Sequence, residues 1–200
     1  MTTTALAIKL LLVDNYDSFT YNVAQLLGAL GGDVTTRYSD AAEMNETTVH
    51  SFDGIVLGPG PGRPRDAGRT LDVLRWAVAA KQPVLGVCLG LQAIGEFFGA
   101  RLDHAPRLMH GKVSAIEHDG SGLFQGVPSR FQATRYHSLC LSNDNLPAEL
   151  QVNARSEDRV IQGVACPSLR IHGVQFQPES VISQHGEKLF ANFLQIVRGA

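Results

Sequence analysis

The sequence contains little cysteine and no concentration of charge. The three cysteines, Cys88, Cys140 and Cys166, are far apart and form no CxxC pair, which argues against a disulfide framework or a thiolate zinc site. A reducing, cytoplasmic location therefore fits best. Charged residues make up only 18% of the chain and the net charge is −2. We expect no nucleic acid among the partners, because phosphate binding needs a concentrated basic face.

Long apolar runs and linkers are also lacking. No run approaches the roughly 18 apolar residues that span a bilayer, so we expect no membrane partner. Lys9 interrupts the apolar stretch near the N-terminus and no small-residue cleavage site follows it, which argues against a signal peptide. Because repeats and Pro/Gly/Ser-rich linkers are missing, residues 1–200 are predicted to form one domain. A chain of this length can bury a core without a metal or a disulfide.

The first half alternates short apolar runs with helical patterns, which is typical of a parallel sheet with crossover helices. One helix is predicted after Ser18, which can cap it, and another at residues 71–78. The strands of this half are expected at residues 9–13, 33–37, 54–57 and 83–87.

The second half is rich in short β-type segments and ends in an amphipathic helix that contains Leu189 and Phe193. The pattern predicts an α/β fold: a mostly parallel central sheet flanked by helices, with a smaller mixed or antiparallel β region in the second half. Those later strands either extend the same sheet or form a small second one. They are expected at residues 113–117, 131–136, 150–154, 160–165 and 169–176.

The segment Gly86–Gln92 (GVCLGLQ) lies between a predicted strand and a predicted helix. A side chain at such a corner projects from the carboxyl edge of the sheet, where α/β proteins bind ligands. The glycines allow the tight turn and close approach of a substrate, and the helix N-terminus should lower the thiol pKa of Cys88. The N–H of Leu89 is best placed to bind an oxyanion. We therefore predict a nucleophilic Cys88 rather than a buried structural cysteine.

A second loop, Gly58–Gly62 (GPGPG), also follows a predicted strand. Its alternating glycine and proline hold a rigid backbone whose amides can face a ligand. The loop does not fit a phosphate-binding loop, because no Gly-Lys-Ser/Thr follows it. Next to Cys88, we interpret it as the second wall of an oxyanion hole.

A third segment, Gln175–Ser180 (QFQPES), places Gln177 and Glu179 two residues apart, so that they share a face in extended conformation. A carboxylate in this place normally orients a general base that activates the thiol. The residue at the base position is Gln177, whose amide has no useful pKa. This residue is the central difficulty of the sequence.

Together these segments resemble the triad-type (class I) glutamine amidotransferases. More narrowly, they resemble the small subunits of anthranilate synthase and aminodeoxychorismate synthase. Two of the matching segments, DNYDSFTYN and MHGK, are specific to this chorismate-associated branch. The matches cover nearly the whole chain and lie at residues 14–22 (DNYDSFTYN), 59–68, 86–90, 109–112 (MHGK), 135–139 (RYHSL) and around Glu179.

The resemblance implies that Cys88 attacks the side-chain amide of glutamine and forms a γ-glutamyl thioester. Ammonia leaves, and water then releases glutamate. Gly60 and Leu89 are implied to supply oxyanion amides, and Glu179 to be the acid of the triad. The family expects a histidine at position 177, so the chain with Gln177 should be strongly impaired. The implied substrate-binding residues are Gly60, Pro61, Gly62, Leu89, Gln92, Ser138 and Leu139.

The resemblance also implies partners. Besides glutamine, it implies a larger chorismate-binding synthase subunit, contacted through residues 14–22 and 110–112 in a heteromeric complex. No cofactor is expected in this chain, whereas the partner synthase is expected to depend on Mg²⁺. The product stays open between anthranilate and aminodeoxychorismate, since the large subunit sets it.

Position 177 leaves several hypotheses open. Gln177 is either a substitution made to trap a glutamine or thioester complex, or a natural residue in a chain whose partner uses free ammonia. His137 is the candidate for a replacement base, because His172 should face the opposite side of an unbroken strand from Gln177. The alternatives to a glutaminase are an inactive binding or regulatory subunit and an unrelated cysteine hydrolase. The branch-specific segments argue against the hydrolase.

Overall fold

A nine-stranded sheet organises the residues that the structure describes. The structure is a computed structural model, and it describes residues 7–199. Across the sheet the strand order is β2-β1-β3-β4-β9-β8-β7-β5-β6. The strands are β1 (Ile8–Asp14), β2 (Gly32–Tyr38), β3 (Gly54–Leu57), β4 (Val84–Val87), β5 (Leu102–His118), β6 (Arg130–Leu141), β7 (Gln151–Ser156), β8 (Ile161–Cys166) and β9 (Ile171–Val174). The helices are α1 (Thr20–Ala29), α2 (Glu46–His50), α3 (Thr70–Ala79), α4 (Leu89–Phe97) and α5 (Gly186–Arg198).

The parallel half of the sheet confirms the prediction for the first half of the chain. Strands β2, β1, β3, β4 and β9 run parallel to one another. The first four of these begin and end within one residue of the predicted bounds. The apolar runs of β1, β3 and β4 are nearly continuous because helices cover both faces of the sheet.

The antiparallel half, formed by β8, β7, β5 and β6, continues the same sheet and forms no second one. Strands β5 and β6 are much longer than predicted. Much of β5 is exposed, and its register against β6 shifts between His104 and Met109 and again between His110 and Lys112. The sequence of β5 therefore lacks the apolar alternation by which a half-buried strand is predicted. Strand β9 belongs to the parallel half, because it pairs in parallel with β4.

Two hydrophobic layers enclose the parallel strands. Successive side chains of a strand point to opposite faces, so that Leu10 and Leu12 of β1 join one layer and Leu11 and Val13 join the other. Helices α1 and α5 contribute to the first layer, with Phe193 of α5 fully buried there, whereas α3 and α4 contribute to the second. The predicted inward face of the last helix is thereby confirmed.

The turn before α1 differs from the prediction that Ser18 caps the helix. Phe19 occupies the N-cap position and makes no side-chain cap. Two carboxylates organise the turn in its place: Asp14 Oδ1 accepts from Thr20 Oγ1 at 2.9 Å, and Asp17 Oδ1 accepts from the Phe19 N–H at 2.8 Å. Short acidic side chains often fix turns in this way, by accepting from backbone N–H groups nearby.

Candidate active site

Cys88 occupies a sharp turn between β4 and α4. Its φ is 53° and its ψ is −104°, a conformation that a residue with a side chain rarely adopts and that surrounding contacts must maintain. One such contact is the Cys88 N–H, which donates to the Val174 carbonyl of β9 at 2.8 Å. The turn directs the side chain to the carboxyl edge of the sheet, as the sequence predicts.

The glycines around Cys88 are required by close packing of the backbone. A Cβ atom on Gly90 would collide with the carbonyl of Leu57 in β3, and one on Gly86 would collide with the backbone of Gly90. Helix α4 can therefore start directly against the ends of β3 and β4. The sequence predicts these glycines for the turn and for substrate access; the groups that a Cβ atom on either would meet belong to the protein itself.

The thiol of Cys88 is 5% exposed and lies among polar groups. The amide nitrogen Nε2 of Gln175 donates to Sγ at 3.5 Å, and the Tyr136 carbonyl lies 4.0 Å from Sγ. Burial, with a smaller contribution from the carboxylate of Glu179, raises the pKa of the thiol to about 12. The N–H of Leu89 and the side chain of Gln177 lower the pKa, as expected at a helix N-terminus, but burial outweighs them.

Glu179 is a buried carboxyl group, 4% exposed. Within residues 7–199 neither of its carboxylate oxygens accepts a well-formed hydrogen bond, and the same is true of Oε1 of Gln177. Burial raises the pKa of Glu179 to about 8, so the group is mostly protonated at neutral pH. Both residues act on the pKa of Cys88, and the structure thus brings together the three residues for which the sequence analysis predicts a triad.

A cavity of about 250 Å³ opens beside Cys88. Six of the predicted substrate-binding residues line it, whereas Leu89 faces the thiol through its N–H. His110, Tyr136 and His137 complete the wall and were not among the predicted binding residues. The six are Gly60, Pro61, Gly62, Gln92, Ser138 and Leu139.

Buried contacts from two other elements hold the glycine-proline loop. The side chain of Asn15, just after β1, donates to the Gly58 carbonyl at 3.0 Å and accepts from Thr70 Oγ1 at 2.6 Å. A Cβ atom on Gly60 would collide with the side chain of Asn15, which explains the glycine at that position. Asn15 is part of the DNYDSFTYN segment, whose position next to the loop the sequence could not show.

Gln92 offers its oxygen to the cavity. Its Nε2 donates to the Leu139 carbonyl and to Oε1 of Gln175, both at 3.1 Å. Because the two N–H bonds are used in this way, the group that is left for a ligand is Oε1, an acceptor. An acceptor at this place can bind an N–H of an amide or of an ammonium group.

His137 is fixed as a neutral ring and is a poor candidate for the missing base. Arg135 Nε donates to its Nε2 at 3.0 Å, so the ring proton is on Nδ1 and is donated to the Leu139 carbonyl at 2.9 Å. Burial lowers the pKa of His137 to about 4, and the charge of Arg135 contributes. Arg135 is fully buried and pairs with Asp158 at 3.0 Å.

The fold and the site define an α/β protein with a cysteine nucleophile at a strand-to-helix turn beside a small polar cavity. Among residues 7–199 no helix is long and apolar enough to cross a membrane, and no group of His, Cys, Asp and Glu side chains is placed to hold a metal ion. The chain belongs to the class-I glutamine amidotransferase family, which matches residues 11–197.

Within this family, the chain is similar to the small components of two synthases. The chain is 48% identical over 189 residues to anthranilate synthase component 2 of Azospirillum brasilense, covering 94% of this chain and 96% of the relative. It is 45% identical over 185 residues to aminodeoxychorismate synthase component 2 of Escherichia coli K12, covering 92% and 98%. A crystal structure from Thermoplasma acidophilum, assigned to GMP synthase, is 26% identical, with a TM-score of 0.87 and coverage of 96% and 95%. The predicted family and fold are thus confirmed.

Proposed function

We propose that this chain is the glutaminase subunit of a chorismate-using synthase in the cytoplasm, and that it passes ammonia to a larger partner that makes anthranilate or aminodeoxychorismate. The observation that carries the proposal is the cavity, which places Cys88 beside the two segments that would hold glutamine, Gly60–Gly62 and Ser138–Leu139. The names of the two relatives support both products, because one relative is a component of anthranilate synthase and the other is a component of aminodeoxychorismate synthase.

The chemistry begins when the Cys88 sulfur attacks the side-chain carbonyl carbon of glutamine. The carbonyl oxygen becomes an oxyanion, for which the backbone N–H groups of Gly60 and Leu89 are the proposed donors. The C–N bond breaks, the nitrogen takes up a proton and leaves as ammonia, and a thioester remains. Water attacks the thioester, and glutamate leaves with the sulfur restored as a thiol.

Gln177 limits this sequence of steps. A base must remove the thiol proton, and an acid must protonate the nitrogen that leaves; an amide can do neither. The thiol has a pKa of about 12 and the carboxyl of Glu179 a pKa of about 8, so the unmodified site rests in a protonated, unreactive state at neutral pH. We therefore propose that the chain binds glutamine and hydrolyses it slowly.

A second candidate function follows from the same residue. A subunit that keeps the cavity and loses the base can act as a glutamine-binding or regulatory component of a synthase that uses free ammonia. Within the described part of the chain, Oε1 of Gln177 and both carboxylate oxygens of Glu179 have no hydrogen-bond partner; this favours the second candidate, because a working triad would pair them.

The deciding experiment co-expresses the chain with chorismate-binding synthases and compares two nitrogen sources. We expect a stable complex that forms product with ammonium salts and forms little product with glutamine. Glutamine binding by calorimetry should persist in the complex and be lost when bulk is added to the cavity, as in Ser138→Trp. Absence of any complex with every synthase tested would contradict the proposed partner, and absence of glutamine binding would contradict the proposed site.

The proposed partner surface joins two segments that are distant in sequence. Phe19 of the DNYDSFTYN segment packs against Tyr136 with ring centroids 5.3 Å apart, and Tyr136 in turn lies beside Gly111 of the MHGK segment. Tyr136 also lines the cavity, so the surface borders the site from which ammonia would leave. Tyr16 and Tyr21 are each 60% exposed next to it, and aromatic residues of this kind are common anchors at interfaces.

A charge placed on this surface should weaken the complex. Tyr21→Asp is expected to reduce affinity for the synthase by about tenfold or more, because a carboxylate that becomes buried in the interface would replace an aromatic anchor. Ala29→Asp, which is exposed at the far end of α1, is the matched control and should bind like the original chain. Surface plasmon resonance measures both; equal affinities for the two variants would exclude this surface.

A further inference from the structure

A chain of buried hydrogen bonds ends at the sulfur of Cys88. The Leu139 carbonyl accepts from Gln92, Gln92 donates a second time to Gln175, and Gln175 donates to Sγ of Cys88 at 3.5 Å. Gln175 is completely buried, and Gln92 is 4% exposed. Gln175 comes directly after β9, whereas the glycine-proline loop follows β3. Because β4 lies between β3 and β9, Gln175 and the loop approach Cys88 from opposite sides of β4.

The direction of this chain is fixed by its first acceptor. A carbonyl oxygen cannot donate, so the atom of Gln92 that faces Leu139 must be the nitrogen. The same nitrogen also faces Gln175, whose facing atom must then be the oxygen. The other end of the Gln175 amide is therefore its nitrogen, and it points an N–H at the sulfur.

We propose that Gln175 is a positioning residue that donates a hydrogen bond to the Cys88 sulfur and stabilises the thiolate when the thiol proton is removed. The inference rests on the proposed function in that the thiolate is the attacking species. Gln92 holds the Gln175 amide in the donating orientation. An N–H donor favours the charged sulfur over the neutral thiol, because hydrogen bonds to ionised groups are the stronger ones.

The charges around the sulfur explain why a neutral donor matters here. The acidic groups that act on the thiol are Glu179 and Asp17, and each opposes a thiolate when it is ionised. The groups that favour it are neutral: the Leu89 N–H, at the start of α4, and the side chain of Gln177. Gln175 adds a third neutral donor, from the strand β9 side of the site.

The test is the alkylation rate of Cys88 by iodoacetamide, followed by peptide mapping with Cys140 as an internal reference. Gln175→Met keeps the bulk and removes the donor, and it should slow the alkylation of Cys88 by roughly three- to tenfold at about pH 8. The control is Gln162→Met on β8. Gln162 is also a completely buried glutamine, but its side chain makes no hydrogen bond within residues 7–199, so this variant should leave the rate unchanged.

Gln175→Glu supplies a readout that a purely structural role would not produce. Its protonated carboxyl can still donate to the sulfur, whereas its ionised form cannot and adds a negative charge. In the original chain, the logarithm of the alkylation rate should rise with pH with a slope of about one. In Gln175→Glu the slope should be smaller over the pH range in which the new carboxyl ionises. Thermal unfolding confirms that each variant is folded.

Two outcomes would overturn the proposal. One is a Gln175→Met variant that alkylates Cys88 as fast as the original, and the other is an unchanged pH slope in folded Gln175→Glu. Because the measurement needs neither glutamine nor a synthase, its result is independent of the proposed function. A chain that binds no glutamine would contradict the function and leave the alkylation result standing.

Discussion

Replacing Gln177 by histidine is expected to raise glutamine turnover by about two to four orders of magnitude, the usual range for general acid–base catalysis. The N–H of Gln177 donates to the Thr134 carbonyl at 3.0 Å, and this backbone bond fixes the segment without involving the side chain. An imidazole at this position can therefore replace the amide without moving the segment. It would lie where the amide now acts on the thiol of Cys88.

The gain has a specific electrostatic origin. Both carboxylate oxygens of Glu179 lack a hydrogen-bond partner within residues 7–199, and an imidazole N–H would supply one. The imidazolium formed on proton transfer lies between a thiolate and a carboxylate and lowers the pKa of both Cys88 and Glu179. The resting site then changes from two protonated groups to an ion pair that can attack glutamine.

The measurement is glutamate release by both forms in the presence of the synthase. Gln177→Asn shares the polar amide and lacks a base, so it should stay as slow as the original chain. Adding Cys88→Ala to the histidine variant should abolish the gain. Rapid turnover by the unmodified chain would show that another group removes the thiol proton, and a histidine variant without any gain would show that more than one residue of the site has changed.

The sequence could predict those strands and turns that are marked by a pattern of neighbouring residues. Strands β1, β3 and β4 are short apolar runs between turns, and the corner at Cys88 follows from a strand, two glycines and a helix in succession. Beyond Cys88 and the Gly58–Gly62 loop, the cavity residues were found by resemblance, because the segments that line the cavity are up to about eighty positions apart. No local pattern connects Gly60 with Leu139.

The contacts and burial that sequence reasoning missed depend on packing between distant strands. Gln175 and Gln92 meet only because β9 pairs with β4, a parallel pairing that the chain reaches after four antiparallel strands. Arg135 was matched only as part of the RYHSL segment, and nothing local predicts that it is completely buried and paired with Asp158. Burial also reversed the expected direction of the pKa of Cys88, since a sequence shows the helix N-terminus but not the depth of the thiol.

Glu179 should make the stability of the chain fall with rising pH. Its pKa in the folded chain is about 8 and its ordinary value is 4.5, so the folded chain holds a proton that the unfolded chain has lost between these values. The contribution of this group to stability is complete below about pH 4.5 and is lost as the pH rises through about 8. The expected loss is about 3 kcal/mol between roughly pH 5 and pH 8, since each pKa unit corresponds to about 1.4 kcal/mol.

Glu179→Gln isolates this effect, because the buried amide cannot ionise. Urea unfolding at several pH values gives the free energy of unfolding of both forms, and their difference should shift in favour of the variant by about 3 kcal/mol from roughly pH 5 to pH 8. The lowered pKa values of His137 and His172 make stability rise with pH, which is opposite to the effect of Glu179. Both forms contain these histidines, so their contribution cancels in the difference between the two free energies of unfolding. In a Gln177→His background the shift should shrink or reverse, because the imidazolium stabilises the carboxylate. A difference independent of pH would mean that Glu179 is ionised in the folded chain.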